Sequence, residues 1–301
     1  TRLRDEYGKK CDYDKVAESW ELSCHKDGPS VVADGEYKGL TLNEYIEKAG
    51  KGVLGKNCER FENFPILIKL IDAKDNLSVQ VHPDNDYAMR VEGEYGKTEM
   101  WYVVDCDEGA TLLYGFKHEI TKEEFARRIA DNTLLEVTNA VPVKKGDVFF
   151  IKSGTLHAIG KGILIAEIQQ NSNTTYRIYD YGRVGKDGKP RELHVDKALD
   201  VTKLAPAEQY PETPVEKKDG YDIKLLSKCE YFTTYRVNVE TKAELDADEN
   251  SFNSILVLEG EPVISGGETV SAKKGESVFI SAGTGKYTVE GKCTFVLTKI
   301  D

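Results

Sequence analysis

The sequence predicts a mainly β fold, two β-barrel units with a few peripheral helices, and two observations carry that expectation. Short segments rich in Val, Ile, Phe and Tyr recur between Gly, Asp, Asn and Pro turns, the pattern of packed sheets rather than of alternating strand and helix. One stretch also occurs twice. VPVKKGDVFFIKSGT, Val141 to Thr155, aligns without gaps to VSAKKGESVFISAGT, Val270 to Thr284, at an offset of 129 with eight of fifteen residues identical, which marks a duplicated structural unit.

Along the chain, Thr41 and Glu44 stand at capping-box spacing, followed by Leu42, Tyr45, Ile46 and Ala49 on one face and Gly50 as terminator, so a helix is expected there. Thr121 and Glu124 open a second, TKEEFARRIADN. Strands are expected at LSVQVH, EMWYVV, GDVFFI and ILIAEIQQ, then at TTYRVNVE, SILVLEG and SVFISAG. The GxGxxG string at Gly50, Gly52 and Gly55 follows an expected helix rather than a strand, so it is no dinucleotide fingerprint, and GxxxxGK[ST] does not occur; nucleotide-binding α/β folds fall away. The Gly turn, strand, Gly-Thr turn and following His of the first copy resemble the cupin jelly roll, a double-sheet all-β architecture. His157 follows that turn in the first copy, and Lys286 stands at the matching place in the second. A metal is therefore expected in the first unit alone. The Pro-bearing, charged stretch LAPAEQYPETPVEKKDG reads as a linker over 204–220, between a metal-bearing unit with helical insertions over 1–203 and a metal-free one over 221–301.

The charge balance narrows the function classes. With 41 Lys and Arg against 52 Asp and Glu, the net charge is −11, and no basic stripe is present to follow a nucleic-acid backbone. Apolar runs such as Phe64 to Ile71 are short and broken by Lys69, so no membrane span is expected. Six well-separated cysteines without a CxxC pair fit a reduced, cytoplasmic setting. The sequence leaves monomer and homodimer undecided.

Chemistry concentrates in the first unit. Gln80 and His82 are two apart on a strand, so they share one face while Val79 and Val81 share the other. Glu99 groups in the same way with Trp101 and Val103, which puts a carboxylate on an interior face, where it needs a partner. With His157 at a turn-to-strand junction, the set is two imidazoles, a carboxylate and an amide, donors suited to zinc. His82, Glu99 and His157 also satisfy the facial set of a non-haem iron oxygenase, and a non-catalytic sugar-binding cupin is a third reading. Taken alone, Lys97 and Arg183 read equally as solvated charges, and the alternative for Arg177 is a structural ion pair with a nearby acid such as Asp180.

The segments SVQVHPDNDYA, GKTEMWYVV and GTLHAIGKGILIAEIQQNSNTTYRIYDYGR, with the doubled cupin pattern, resemble the short bacterial form of type I mannose-6-phosphate isomerase over essentially the whole chain. The resemblance implies interconversion of mannose 6-phosphate and fructose 6-phosphate with one zinc per chain, held by Gln80, His82, Glu99 and His157. It also implies a substrate arginine at Arg177, substrate or phosphate contacts at Ser78, Lys97 and Arg183, and a proton-transfer acid at Glu167. The sequence leaves the proton-abstracting base open among Glu167, Lys97, a histidine and a metal-bound water.

Overall fold

The computed structural model describes residues 1–12, 16–185 and 187–301. It resolves into two compact units, Thr1–Leu70 together with Pro211–Asp301, and Ile71–Tyr210. The expected division followed chain order, whereas here the first 70 residues group with the C-terminal portion. Among the described residues, no helix is long and apolar enough to cross a membrane.

The N-terminal part of the first unit holds helix α1 (Arg2–Asp5), strand β1 (Glu18–Leu22), helix α2 (Leu42–Ala49) and most of strand β2 (Ile66–Ala73). The capping box at α2 forms as its spacing predicts: the Thr41 side chain accepts from Glu44 N–H, and Glu44 accepts from Thr41 N–H at 2.7 Å.

Ile71–Tyr210 carries β3 (Val79–Val81), α3 (Asn85–Val91), β4 (Glu99–Cys106), β5 (Thr111–Phe116), α4 (Lys122–Ala130), β6 (Thr138–Pro142), β7 (Val148–Ile151), β8 (His157–Ala158), β9 (Ile163–Gln170), β10 (Tyr176–Tyr179) and α5 (Val195–Val201). Antiparallel strands in the order β9-β4-β7 face a sheet in the order β10-β3-β8-β5-β6. Val103, Ile165 and Ile151 from the first meet Leu112, Tyr114 and Ile159 from the second. The second sheet's other face is covered by helices: Val79, Val81 and Ile178 pack with Phe125 and Ile129 of α4 and Ala198 of α5. Burial of a side chain such as Phe125, fully enclosed, is worth about 1.5–3 kcal/mol. The alternation read from LSVQVH therefore acts as expected. Val79 and Val81 are held by the helix layer, and Gln80 is left to the interior. At α4 the Thr121 hydroxyl accepts from Glu124 N–H, but the Glu124 carboxylate accepts from Arg128 Nε, four residues on, at 3.2 Å.

The C-terminal portion of the other unit contains β11 (Val215–Lys218), β12 (Tyr221–Lys228), β13 (Thr233–Val239), β14 (Lys242–Ala247), β15 (Asn253–Gly260), β16 (Val263–Gly266), β17 (Glu268–Ser271), β18 (Ser277–Ile280), β19 (Gly285–Glu290) and β20 (Cys293–Lys299). The orders β11-β12-β13-β20-β15-β18 and β14-β19-β16-β17 enclose Val237, Ile255, Phe295, Ile264 and Val289. This is the second jelly roll that the repeat predicts. The stretch expected as a linker contains β11, which pairs along β12.

Candidate metal centre

The site lies wholly within Ile71–Tyr210. Strand β3 ends at Pro83, which cannot extend the ladder, and His82 sits at that end. The turn before His157 needs Gly154, whose φ is +84°, a conformation other residues adopt at a cost. Its N–H donates to His82 O at 2.8 Å, which fastens the two histidine segments together. Gly96 lies so close to α3 that a Cβ there would come within 2.4 Å of the Asp84 backbone, and Lys97 N–H donates to Pro83 O at 3.0 Å. The GKTE turn is thereby locked beside His82.

His82, Glu99 and His157 are buried, with one ligand-type atom from each within 4.8 Å of the others. The two Nε2 atoms are 3.1 Å apart, and Glu99 places its oxygens 3.3 Å from His157 Nε2 and 3.6 Å from His82 Nε2. Each ring also has a backbone carbonyl at Nδ1: Thr174 O at 3.1 Å from His82 and Thr155 O at 2.8 Å from His157. Those carbonyls draw the proton to Nδ1 and leave Nε2 as a lone pair, the usual outer-shell device for a ligating histidine. Burial pushes the pKa of His157 down to about 4, with the Lys97 charge adding to the effect and the Thr155 hydrogen bond opposing it. The ring is thus neutral at physiological pH.

Two lone pairs and a carboxylate converging in a dry interior repel one another unless a cation lies between them. For metal–donor bonds of about 2.0–2.1 Å, the edge of a tetrahedron is about 3.3–3.4 Å, and the three donor separations bracket that value. The residues therefore fit a divalent ion. Gln80, paired across the strands with His157, brings its side-chain amide to 3.4 Å from His157 Nε2.

Around this group stands a second layer. Lys97, 4% exposed, has Nζ 3.2 Å from Glu99 Oε2 and 3.9 Å from Glu167 Oε1. Trp101 Nε1 donates to Glu167 Oε2 at 2.8 Å, and the indole meets the His157 ring edge-on at 5.2 Å. Ser78, buried one position before β3, has the strand parity of Gln80 and His82.

Arg177 lies opposite Gln80 in the β10–β3 register, beside the centre. Its Nη1 donates to Glu192 O at 2.9 Å, and its Nε is enclosed without a partner among the described residues. Burial, followed by the nearby Arg191 charge, lowers its pKa. Asp180 instead binds two other arginines. Arg191 grips it with Nε and Nη2 at 2.7 and 2.6 Å, and Arg183 donates to it through Nη2 and Nε. Arg183 also donates to Asn76 O at 2.7 Å, so it is a held cation, though part of its side chain stays exposed. Sequence reasoning missed Arg191. It also took His194 as bland, whereas His194 Nδ1 accepts the Arg177 N–H at 3.1 Å.

The C-terminal jelly roll fills the corresponding interior with its own side chains. Glu99 pairs with Ile151, and Asn253 pairs with Ile280, the residue 129 positions after Ile151. Asn253 is therefore the counterpart of Glu99. Its Nδ2 donates to the Tyr287 hydroxyl at 2.9 Å inside the core, while Lys286 points to solvent.

Comparisons with known proteins find relatives along the whole chain. The model of the phosphomannose isomerase type I catalytic domain matches residues 2–109, and that of the mannose-6-phosphate isomerase cupin domain matches 222–300. The chain is 38% identical over 302 residues to mannose-6-phosphate isomerase ManA of Bacillus subtilis, covering 100% of this chain and 94% of that protein. It is 39% identical over 286 residues to the mannose-6-phosphate isomerase of Streptococcus mutans, covering 93% and 87%. The crystal structure of the Bacillus subtilis mannose 6-phosphate isomerase superposes with a TM-score of 0.92 at 37% identity, covering 99% of this chain and 94% of that one. Similarity of this depth along the full chain, on a jelly-roll pair with a His/Glu/His centre in one unit, makes the chain a member of the type I phosphomannose isomerase family.

Proposed function

We propose that the chain interconverts D-mannose 6-phosphate and D-fructose 6-phosphate at this centre, with one zinc ion held by Gln80, His82, Glu99 and His157. The observation that carries the reading is the convergence of two carbonyl-anchored imidazoles, 3.1 Å apart at Nε2, on a buried carboxylate. Rotating the Gln80 amide offers its oxygen as the fourth donor. When bound, zinc supplies Lewis acidity toward the sugar oxygens.

Aldose-to-ketose conversion takes a proton from C2, protonates O1, then returns a proton to C1 while O2 gives one up. Lys97 and Glu167 form a buried ammonium–carboxylate pair suited to that transfer. Arg177 stabilises negative charge developing on the carbonyl oxygen, and its planar fork can hold two oxygens at once. Ser78 and Arg183 hold the substrate, with Arg183 directed to the phosphate. Those fixed cations act locally against a net charge of −11. The same reading places the enzyme in the cytoplasm, since sugar phosphates are charged metabolites that do not cross membranes unaided.

The test is a coupled assay for fructose 6-phosphate formed from mannose 6-phosphate, run beside metal analysis and an oxygen electrode. Isomerisation with zinc and no oxygen uptake supports the reading. Bound iron with oxygen consumption would assign the same triad to an oxygenase, and a zinc-loaded protein that binds the sugar without turnover would make it a sensor.

A further inference from the structure

Gln169 lies fully buried on β9, directly across from Glu99 on β4. Residues opposite each other in an antiparallel pair share a face, and so do residues two apart on one strand. Gln169 therefore points to the same interior as Glu99, Trp101 and Glu167. Its Nε2 donates to two backbone carbonyls, Gln170 O at 2.7 Å and Ser172 O at 2.6 Å. Those two acceptors fix which end of the amide is nitrogen, because the opposite orientation would set an oxygen against two carbonyl oxygens. Oε1 is thereby committed to the other side, enclosed and accepting no hydrogen bond from any described residue. A buried acceptor left unmatched costs desolvation free energy that an arriving donor recovers.

The other groups of the centre indicate which donor such an acceptor suits. Lys97 and Arg177 offer only donors, and the Glu99 and Glu167 carboxylates already face the histidines, Lys97 and Trp101. A sugar hydroxyl needs an acceptor for its proton as well as a donor to its oxygen. Gln169 supplies a neutral acceptor whose orientation is locked and whose lack of charge leaves the metal field unchanged. We propose that Gln169 Oε1 accepts a hydrogen bond from one of the substrate's C3, C4 or C5 hydroxyls and so acts as a specificity-determining residue. This rests on the isomerase reading above. The Gln169 amide is locked by loop carbonyls rather than by the substrate, so its selectivity is built in before binding, and a site of that kind rejects analogues lacking the matching hydroxyl strongly.

The test measures dissociation constants by calorimetry on zinc-loaded full-length protein, using mannitol 6-phosphate and its 3-, 4- and 5-deoxy counterparts, which bind without turnover. The native protein is expected to bind one deoxy compound at least tenfold more weakly than the parent. Gln169→Leu should bind that compound and the parent equally, with the other discriminations unchanged. Gln169→Asn, which draws the amide back by one methylene, should behave alike and serves if the Leu variant does not fold. Proportional weakening of all four compounds would show that Gln169 only braces the 170–172 loop, and an unchanged pattern would show that it is not at the substrate. Either result overturns the inference. The native protein is assayed separately for fructose 6-phosphate formation, so failure of the isomerase reading is seen independently.

Discussion

Replacing Arg177 by Lys separates its proposed action on the substrate from a role in the fold. The guanidinium spends Nη1 on Glu192 O at 2.9 Å and keeps Nε enclosed next to the metal centre, while Asp180 is satisfied by Arg183 and Arg191. A lysine has one ammonium, which can hold the carbonyl or reach the substrate but cannot do both as a planar fork does. Losing one charge-assisted hydrogen bond to the reacting oxygen costs about 1.5–3 kcal/mol. At 1.36 kcal/mol per decade, that is about a tenfold to hundredfold fall in kcat/KM. The structural cost is one partly exposed bond to a carbonyl, under about 1 kcal/mol, or no more than about 4 °C in Tm for a unit of this size. The assay is coupled turnover at several mannose 6-phosphate concentrations, with zinc content and Tm read on the same preparation. A fall confined to KM assigns Arg177 to anchoring, and a fall in kcat assigns it to charge stabilisation in the reaction. Normal turnover, or a variant that unfolds, would refute the reasoning.

Other consequences follow from the same geometry. Glu99→Ala and His157→Ala should each lose bound metal and activity, because the variant breaks a converging donor set and leaves buried polar partners behind; stoichiometric zinc with native turnover in either would discard the centre. Burial raises the Asp180 pKa, but hydrogen bonds from Arg191 and Arg183 outweigh it and hold the group below the ordinary carboxylate value. Its stabilisation is therefore full above the unfolded value of about 3.9 and is lost as pH falls through the lower folded one. Denaturant unfolding of native protein and Asp180→Asn should differ most near neutral pH and converge in acid, whereas a constant gap would mean that the arginine contacts do not act through charge. Tyr287→Phe leaves one Asn253 Nδ2–H without its acceptor in the second core, the other still donating to Asp246 O, and should cost about 1–3 kcal/mol, leaving metal content and turnover unchanged. Loss of metal in that variant would contradict a purely structural second jelly roll.

The cluster of His82, Glu99 and His157 that could hold a metal ion was legible in the sequence because β alternation is a period-two code. Gln80 and His82 separate from Val79 and Val81 by parity alone, and the helix layer over the valines enforces the choice. The duplicated Gly turns likewise announced two jelly rolls. Less was visible where long-range pairing decides. Asn253 is the counterpart of Glu99 only through the pairing with Ile280, since an offset of 129 holds across the repeated turn but fails across loops of different length. Residue 286 was expected to replace the metal histidine, yet Lys286 faces solvent and Tyr287 occupies the interior. Arg191 joins the arginine cluster because Asp180, eleven residues earlier, binds it. No local pattern signals a partner at that distance. Gln169 carried a usable sign, its parity with Glu167 in ILIAEIQQ, but an amide in an apolar strand resembles a core residue until its unmatched oxygen is seen.

The most direct test strips the protein of metal with a chelator, removes the chelator, and follows conversion of mannose 6-phosphate to fructose 6-phosphate as zinc is added back. Activity absent in the stripped protein and rising linearly to a break at one zinc per chain is the predicted result. Turnover that is indifferent to the chelator, or a break at two metals per chain, would contradict a single catalytic centre built from His82, Glu99 and His157.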